Sequence, residues 1–150
     1  MIKIMFVCHG NICRSPMAEF VLKDMVAKKG IADNFSITST ATSREEIGNG
    51  IHYGTRAKLN EMGVPFTEHR ATQITLNDYK KYDYILVMDR NNLRNLNRII
   101  GEDTDKKVYR LLDFADGGDI ADPWYTGNFD DTYRDIVKGC EAFLKHLREE

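Results

Sequence analysis

Apolar residues along this chain fall into two alternating rhythms. Short dense stretches at Ile2–Val7, interrupted only by Lys3, and at Phe35–Thr40, Asp83–Met88 and Lys107–Leu112 have the length and character of strands. Between them apolar positions recur every three or four residues, the period of a helix that buries one face. The segments are Pro16–Lys29, with Met17, Phe20, Val21, Met25 and Val26 on one side, then His52–Met62, Leu76–Tyr82 and Arg90–Ile100. A last segment, Phe129–Arg148, stacks Phe129, Tyr133, Ile136, Val137, Cys140, Phe143, Leu144 and Leu147 in one stripe. Strands alternating with helices predict an α/β fold built of βα units around a mainly parallel sheet of four strands. Ligands of such sheets sit at the carboxyl ends of the strands, where strand order reverses. The loop after the first strand belongs there, with Thr42–Gly50, Met88-Asp89 and the loop carrying Asp122-Pro123-Trp124-Tyr125 expected on the same edge.

Composition narrows the possibilities. At 150 residues the chain fits one domain, 1–150, and the polar intervals Gly101–Lys106 and Asp113–Asp122 are too short to be interdomain linkers. The net charge of −2, with acids and bases interspersed, offers no basic stripe for a nucleic acid. Lys28-Lys29 and Lys80-Lys81 read as solvated faces. No run approaches the ~20 apolar residues of a membrane span, and the amino terminus lacks a signal-peptide pattern, so no membrane partner is expected. Three cysteines, an odd number without a framework spacing, suit a reducing cytoplasm. Cys140 falls on the apolar stripe of the last helix and reads as core. No cluster has metal-ligand spacing, and no metal is expected.

The chemistry concentrates in Cys8-His9-Gly10-Asn11-Ile12-Cys13-Arg14, followed by Ser15-Pro16, which sets a thiol and a guanidinium at the two ends of one short loop. Gly10 can take a positive φ freely and Asn11 tolerates the left-handed region, so the loop can curl its N–H groups inward as an anion nest at a helix amino terminus. Arg14 adds a two-pronged contact to phosphate oxygens. Ser15-Pro16 reads as a helix start, with serine at the cap and proline in the first helical position, and the serine hydroxyl can also donate to a Cys8 thiolate. The positive field that binds an oxyanion also favours the ionised sulfur. Ionisation alone gains on the order of 30-fold in population, whereas one fixed donor to a phosphoryl transition state is worth ~10²–10³, so transition-state electrostatics ranks first.

Hydrolysis also needs an acid for the leaving oxygen and a base for water, and Asp122 is the candidate. Pro123 biases it away from helical geometry and stiffens the loop. An ordinary Asp-Pro turn is the plainer reading of that dipeptide alone. Trp124 and Tyr125 either wall an aromatic slot or anchor the loop.

Taken together these motifs resemble the low-molecular-weight protein tyrosine phosphatases, in their bacterial form. The likeness runs through Val7-Cys8-His9-Gly10-Asn11-Ile12-Cys13-Arg14-Ser15-Pro16, Asp83-Tyr84-Ile85-Leu86-Val87-Met88-Asp89, Asn92-Leu93-Arg94-Asn95-Leu96 and Asp122-Pro123-Trp124-Tyr125-Thr126-Gly127. The resemblance implies a single doubly wound sheet of four parallel strands flanked by helices, with a phosphate-binding loop after the first strand. It implies a phosphocysteine on Cys8, phosphate held by Arg14 and the loop residues His9, Gly10, Asn11, Ile12, Cys13 and Ser15, and Asp122 as acid and then base. Asn11, Ser15, Ser39 and His69 match a network that braces the loop in the family. Cys13 matches a thiol that forms a reversible disulfide with the nucleophile. The implied substrate is a phosphotyrosine-containing protein or a small aryl phosphate, with no cofactor; the sequence does not fix the oligomeric state, and a monomer is assumed.

One departure bears on specificity. Ser39–Glu46 lacks the glycine common after the second strand and puts Glu45, with Trp124 and Tyr125, at the pocket rim, where many relatives carry an aromatic. An acidic rim predicts modest turnover of simple aryl phosphates. Two other readings share the scaffold: a thiol-coupled arsenate reductase, which lacks an evident relay cysteine here, and a phosphocysteine carrier or phosphopeptide-binding module, which has no need of Asp122.

Overall fold

The computed structural model describes residues 1–149, and Glu150, the last residue of the expected domain, lies outside the described residues. Strands β1 (Ile2–Cys8), β2 (Phe35–Ala41), β3 (Tyr84–Val87) and β4 (Val108–Arg110) form one parallel sheet in the order β2-β1-β3-β4. The helices are α1 (Arg14–Lys28), α2 (Tyr53–Glu61), α3 (Leu76–Lys81), α4 (Arg90–Ile100), α5 (Pro123–Thr126) and α6 (Phe129–Glu149).

The period of two in β1 sends its side chains to opposite faces of the sheet. Ile4, Phe6 and Cys8 join the larger core with Met17, Phe20 and Val21 of α1 and Ile136, Cys140 and Phe143 of α6. Met5 and Val7 face the other way, with Ile85 and Val87 of β3, Tyr79 of α3 and Leu96 and Ile100 of α4. Burial on both faces explains why β1 reads as a nearly continuous apolar run. The chain leaves β1 for β2 on one side and returns to β3 on the other, so strand order reverses beside β1 and the Cys8–Arg14 loop opens at that switch point.

Three local expectations are corrected. The helix after the loop starts at Arg14 with Cys13 at its cap, so Ser15 is not the cap and Pro16 is not the first helical residue; the Ser15 hydroxyl is turned instead toward Cys8 and Asn11. The fourth strand ends at Arg110, because Leu111–Phe114 forms a 3-10 turn that buries Leu111 against α6. Gly139 admits it: a Cβ there would lie 2.5 Å from Leu111 Cγ. Finally, the residues after Asp122, read as loop, form the short helix α5 with proline in its first turn, while Asp122 at the cap keeps the extended backbone expected before a proline.

Candidate active site

Within the loop the left-handed residue is Asn11, at φ 59°, and not Gly10. Gly10 does not use its conformational freedom, and a Cβ there would meet Glu46 Cγ at 3.4 Å, an ordinary contact distance. Asn11 is fully buried and its side chain offsets the backbone cost. Its Nδ2 donates to Ser15 Oγ at 2.7 Å and Ser39 Oγ at 3.0 Å. Its Oδ1 accepts from Thr72 N at 3.2 Å and lies 2.9 Å from His69 Nε2. Because Nδ2 faces the serines, Oδ1 is the acceptor and His69 Nε2 carries the proton. Burial holds the His69 imidazole below its ordinary pKa, with Glu19 pulling the other way. Ser39 Oγ donates onward to Glu19 Oε1 at 2.6 Å, and buried Glu19 is neutralised by Lys23 at 2.7 Å. Glu19 was not among the candidates; its position one turn beyond Ser15 on α1 is the only signal it leaves in the sequence.

A trans peptide points its N–H opposite to its C=O, so amides face inward when the carbonyls behind them are tied outward. Cys8 O accepts from Thr42 N at 2.9 Å and His9 O from Ser43 N at 3.1 Å. Ile12 O accepts from His52 N at 2.9 Å, and Cys13 O from Thr55 Oγ1 at 3.1 Å. The N–H groups of His9, Gly10, Cys13 and Arg14, on the other edges of those four peptides, are thereby aimed into the loop. Two other amides turn to the sulfur: Asn11 N lies 3.3 Å and Ser15 N 3.4 Å from Cys8 Sγ. Ser15 Oγ stands 3.1 Å from the same sulfur and 3.3 Å from Thr40 O, and since it already accepts from Asn11 its single hydrogen is shared between these two acceptors. At Cys13, burial, and then the charge of Cys8, push the thiol up to about 12.

Arg14 is 2% exposed. Its Nη1 donates to Asp89 Oδ2 at 2.6 Å and to Ile120 O at 2.9 Å, while Nη2 lies 3.4 Å from Asp122 Oδ2. Burial opposes its charge, but Cys8, Asp122 and Asp89 together hold its pKa above the ordinary arginine value. Nε is buried and has no partner. An unanswered N–H on a buried cation is costly, and an anion over the loop would satisfy it. Asp89, expected only as part of the ligand edge, and Asn92 are the other residues to which the sequence assigned no role. Asp89 caps α4, accepting from Asn92 N at 2.8 Å, while Asn92 Oδ1 accepts from the amides of Met88 and Asp89. A cap-like Asp-x-x-Asn pattern was visible; that its free oxygen meets an arginine 75 residues away was not.

The loop floors a cavity of about 100 Å³ lined by Cys8, His9, Gly10, Ile12, Cys13, Glu45, Glu46, Asp122, Trp124 and Tyr125. Ser15, Ser39 and His69 lie behind the loop and not in the cavity. Asp122 uses Oδ1 to accept from Trp124 N at 3.0 Å and turns Oδ2 toward Arg14. Trp124 and Tyr125 are 57% and 81% exposed and form one wall. On the other, Glu45 Oε2 lies 2.9 Å from His9 Nε2. A wider groove of about 910 Å³ lies at the opposite ends of β1 and β2, around Ile2 and Phe35, and holds neither thiol nor histidine. Among the described residues no group of His, Cys, Asp or Glu is placed to hold a metal ion, and no helix is long and apolar enough to cross a membrane.

A thiol at the mouth of an anion nest, with a buried guanidinium and a carboxyl group above it, defines a cysteine-dependent phosphatase site. The family model for low molecular weight phosphotyrosine protein phosphatases matches residues 3–150. A relative from Bacillus subtilis, low molecular weight protein-tyrosine-phosphatase YfkJ, is 39% identical over 100% of this chain and 98% of its own length. Its crystal structure superposes with a TM-score of 0.95, covering 99% of this chain and 96% of that one. The human low molecular weight phosphotyrosine protein phosphatase is 41% identical over 95% of this chain and 93% of its own. A Drosophila arginine phosphatase structure, 29% identical with a TM-score of 0.89, covers 98% of each chain. The chain belongs to the low molecular weight phosphotyrosine protein phosphatase family, and it is an enzyme of the protein-tyrosine-phosphatase class.

Asp89→Asn keeps an oxygen for the α4 cap but faces Arg14 with a donor or a neutral acceptor in place of a carboxylate. Urea denaturation should find the variant about 2 kcal/mol less stable, short of the full cost of orphaning a buried charge because Asp122 and Ile120 O remain. Saturating inorganic phosphate should recover part of that loss.

Proposed function

We propose that the enzyme hydrolyses phosphotyrosine in proteins, and small aryl phosphates, through a phosphocysteine on Cys8, acting as a monomeric single domain spanning 1–150 in a reducing cytoplasm, without cofactor or metal. The observation that carries the reading is the convergence of Asn11 N, Ser15 N and Ser15 Oγ on Cys8 Sγ, beside an Arg14 Nε that is buried without a partner. Arg14 and the inward amides of the His9–Arg14 segment take the phosphate oxygens. Sγ attacks phosphorus, the bond from phosphorus to the tyrosyl oxygen breaks, and Asp122 gives that oxygen its proton. The Asp122 carboxylate then takes a proton from water, the hydroxide oxygen attacks phosphorus, and the S–P bond breaks to release phosphate and the thiolate. Donors fixed in advance spare the reorganisation that water would need, and each is worth ~10²–10³ in rate. Ile12, Trp124 and Tyr125 supply the apolar and aromatic surface that a tyrosyl ring requires.

Cys140 is fully buried in the core and burial raises its pKa far above the ordinary thiol value, which speaks against a cysteine relay to arsenate. Cys13, one loop with Cys8, is the partner for a reversible disulfide that shields the nucleophile. It is protonated during turnover, which leaves Cys8 as the attacking sulfur.

Cys8→Ser should bind phosphate without turnover. Asp122→Ala should lose roughly 10²-fold or more in kcat/KM on phosphotyrosine and little on aryl phosphates with good leaving groups; equal loss across a leaving-group series would remove Asp122 as the acid. Glu45→Trp, by taking a carboxylate from the rim and extending the aromatic wall, should raise kcat/KM on p-nitrophenyl phosphate by about 3-fold, in line with an aromatic contact and a relieved rim repulsion. After peroxide treatment, reductant should restore the wild type and leave Cys13→Ser inactive; matching recovery would rule out the protective disulfide.

A further inference from the structure

The acid loop, from Asp122 to the start of α6, has few of the backbone ties that fix the phosphate loop, and Trp124 and Tyr125 stand largely in solvent. Its carboxyl group has one direct tie to the phosphate loop, the 3.4 Å contact of Asp122 Oδ2 with Arg14 Nη2. The backbone bonds of the acid loop are internal, from Tyr125 N and Thr126 N to Asp122 O and from Gly127 N to Pro123 O, so its alignment over Cys8 draws on a further anchor. His52, at the amino terminus of α2, meets both loops. Its backbone N–H donates to Ile12 O at 2.9 Å, on the back of the phosphate loop. Its ring Nδ1 accepts from Gly54 N at 3.0 Å, which caps α2 and fixes the ring plane. Against that ring the Trp124 indole packs edge-on, at 5.6 Å and 75°, and the Phe129 ring stacks at 5.4 Å and 17°. Trp124 N in turn donates to Asp122 Oδ1, so one ring contact separates His52 from the carboxyl group. Phe129 has a second seat on Gly54, where a Cβ would lie 2.3 Å from its Cζ. Trp124 and Phe129 bracket the segment that follows Asp122, and Thr132 Oγ1 lies 3.2 Å from both Ala121 O, just before it, and Asn128 O, sharing its hydrogen between them. Burial, and then the charge of Arg56, keep the His52 imidazole below its ordinary pKa, so the Nδ1 lone pair stays available to the cap.

We propose that His52 is a positioning residue for the general acid: its ring, pinned to the phosphate loop through its own backbone, holds Trp124 and Phe129 and through them sets the Asp122 carboxyl group over Cys8. The inference rests on the assignment of Asp122 as the acid.

Two substitutions separate the ring from the cap. Asn at position 52 keeps a side-chain acceptor for Gly54 N but removes the ring, whereas Phe keeps a ring and removes the acceptor. The readout is kcat/KM across aryl phosphates of graded leaving-group pKa, with thermal melting as a separate measure of folding. His52→Asn should lose about 10-fold on phosphotyrosine and less than about 2-fold on a dinitrophenyl phosphate, as expected when an acid worth ~10²–10⁴ is displaced and not deleted. His52→Phe should keep the wild-type leaving-group slope while melting lower. Trp124→Leu, which changes an exposed side chain and leaves folding intact, should steepen the slope as His52→Asn does, and the double variant should steepen it no further. A His52→Asn loss that is uniform across leaving groups, or additive effects in the double variant, would overturn the proposal. Should Asp122→Ala itself show a flat leaving-group response, the acid assignment would have failed first, and the two failures are thereby told apart.

Discussion

An anion nest requires several neighbouring N–H groups to point at one spot, and a planar peptide allows this only if the carbonyls on the reverse side find donors elsewhere. This constraint organises much of the molecule. The donors behind the Cys8–Cys13 carbonyls come from the segment after β2, from the amino terminus of α2 and from the Thr55 side chain. None of these lies near the loop in sequence. The parallel sheet gathers them, because β2 runs beside β1 in register up to Cys8 opposite Ala41, so that the chain leaving β2 passes directly behind the loop. The nest is accordingly a product of tertiary structure that the loop sequence could not hold alone.

Asn11 supplies the complementary restraint on the side-chain side. Both hydrogens and both lone pairs of its amide are used, by Ser15, Ser39, Thr72 and His69. Satisfaction of this kind allows a polar side chain to be fully buried in an unusual backbone conformation without a net penalty. Arg14 stands in contrast. Two of its nitrogens are answered by Asp89, Ile120 and Asp122, and one is not. An unanswered donor on a buried cation weakens the empty protein, and in the proposed phosphate complex that cost would be recovered.

Periodicity and loop chemistry made most of this architecture legible. The four strands, the helical faces and the functional loop at the end of β1 follow from alternation of apolar residues and from one thiol-guanidinium spacing. The misreadings share a cause. Ser15-Pro16 has the local chemistry of a helix start, yet Ser15 Oγ is drawn to Cys8 and Asn11, and the helix begins two residues earlier. Gly10 has the freedom to turn left-handed, yet Asn11 takes that role because its side chain is satisfied there. Lys107–Leu112 has strand composition throughout, yet Gly139 opens a notch that draws Leu111 out of the sheet. Asp89, Glu19 and His52 were assigned no role for the converse reason. Their roles depend on partners brought near by the fold, and nothing local distinguishes them from an ordinary helix cap, a surface acid and a solvated imidazole.

Every residue of α1 from Arg14 to Leu22 is buried, a helix gripped on all sides by the sheet, α2 and α6. That first half of the helix has no wet surface on which to roll or slide, although Lys23, Ala27 and Lys28 of its second half reach solvent, and the phosphate loop is continuous with its first turn. The enzyme is therefore a vice with one stationary jaw. Breathing that admits a phosphorylated side chain and lets the product out falls to the solvent-facing side of the cavity, where the stretches that bear Trp124-Tyr125 and Glu45-Glu46 stand. Adaptation to new substrates has its freedom on that same side.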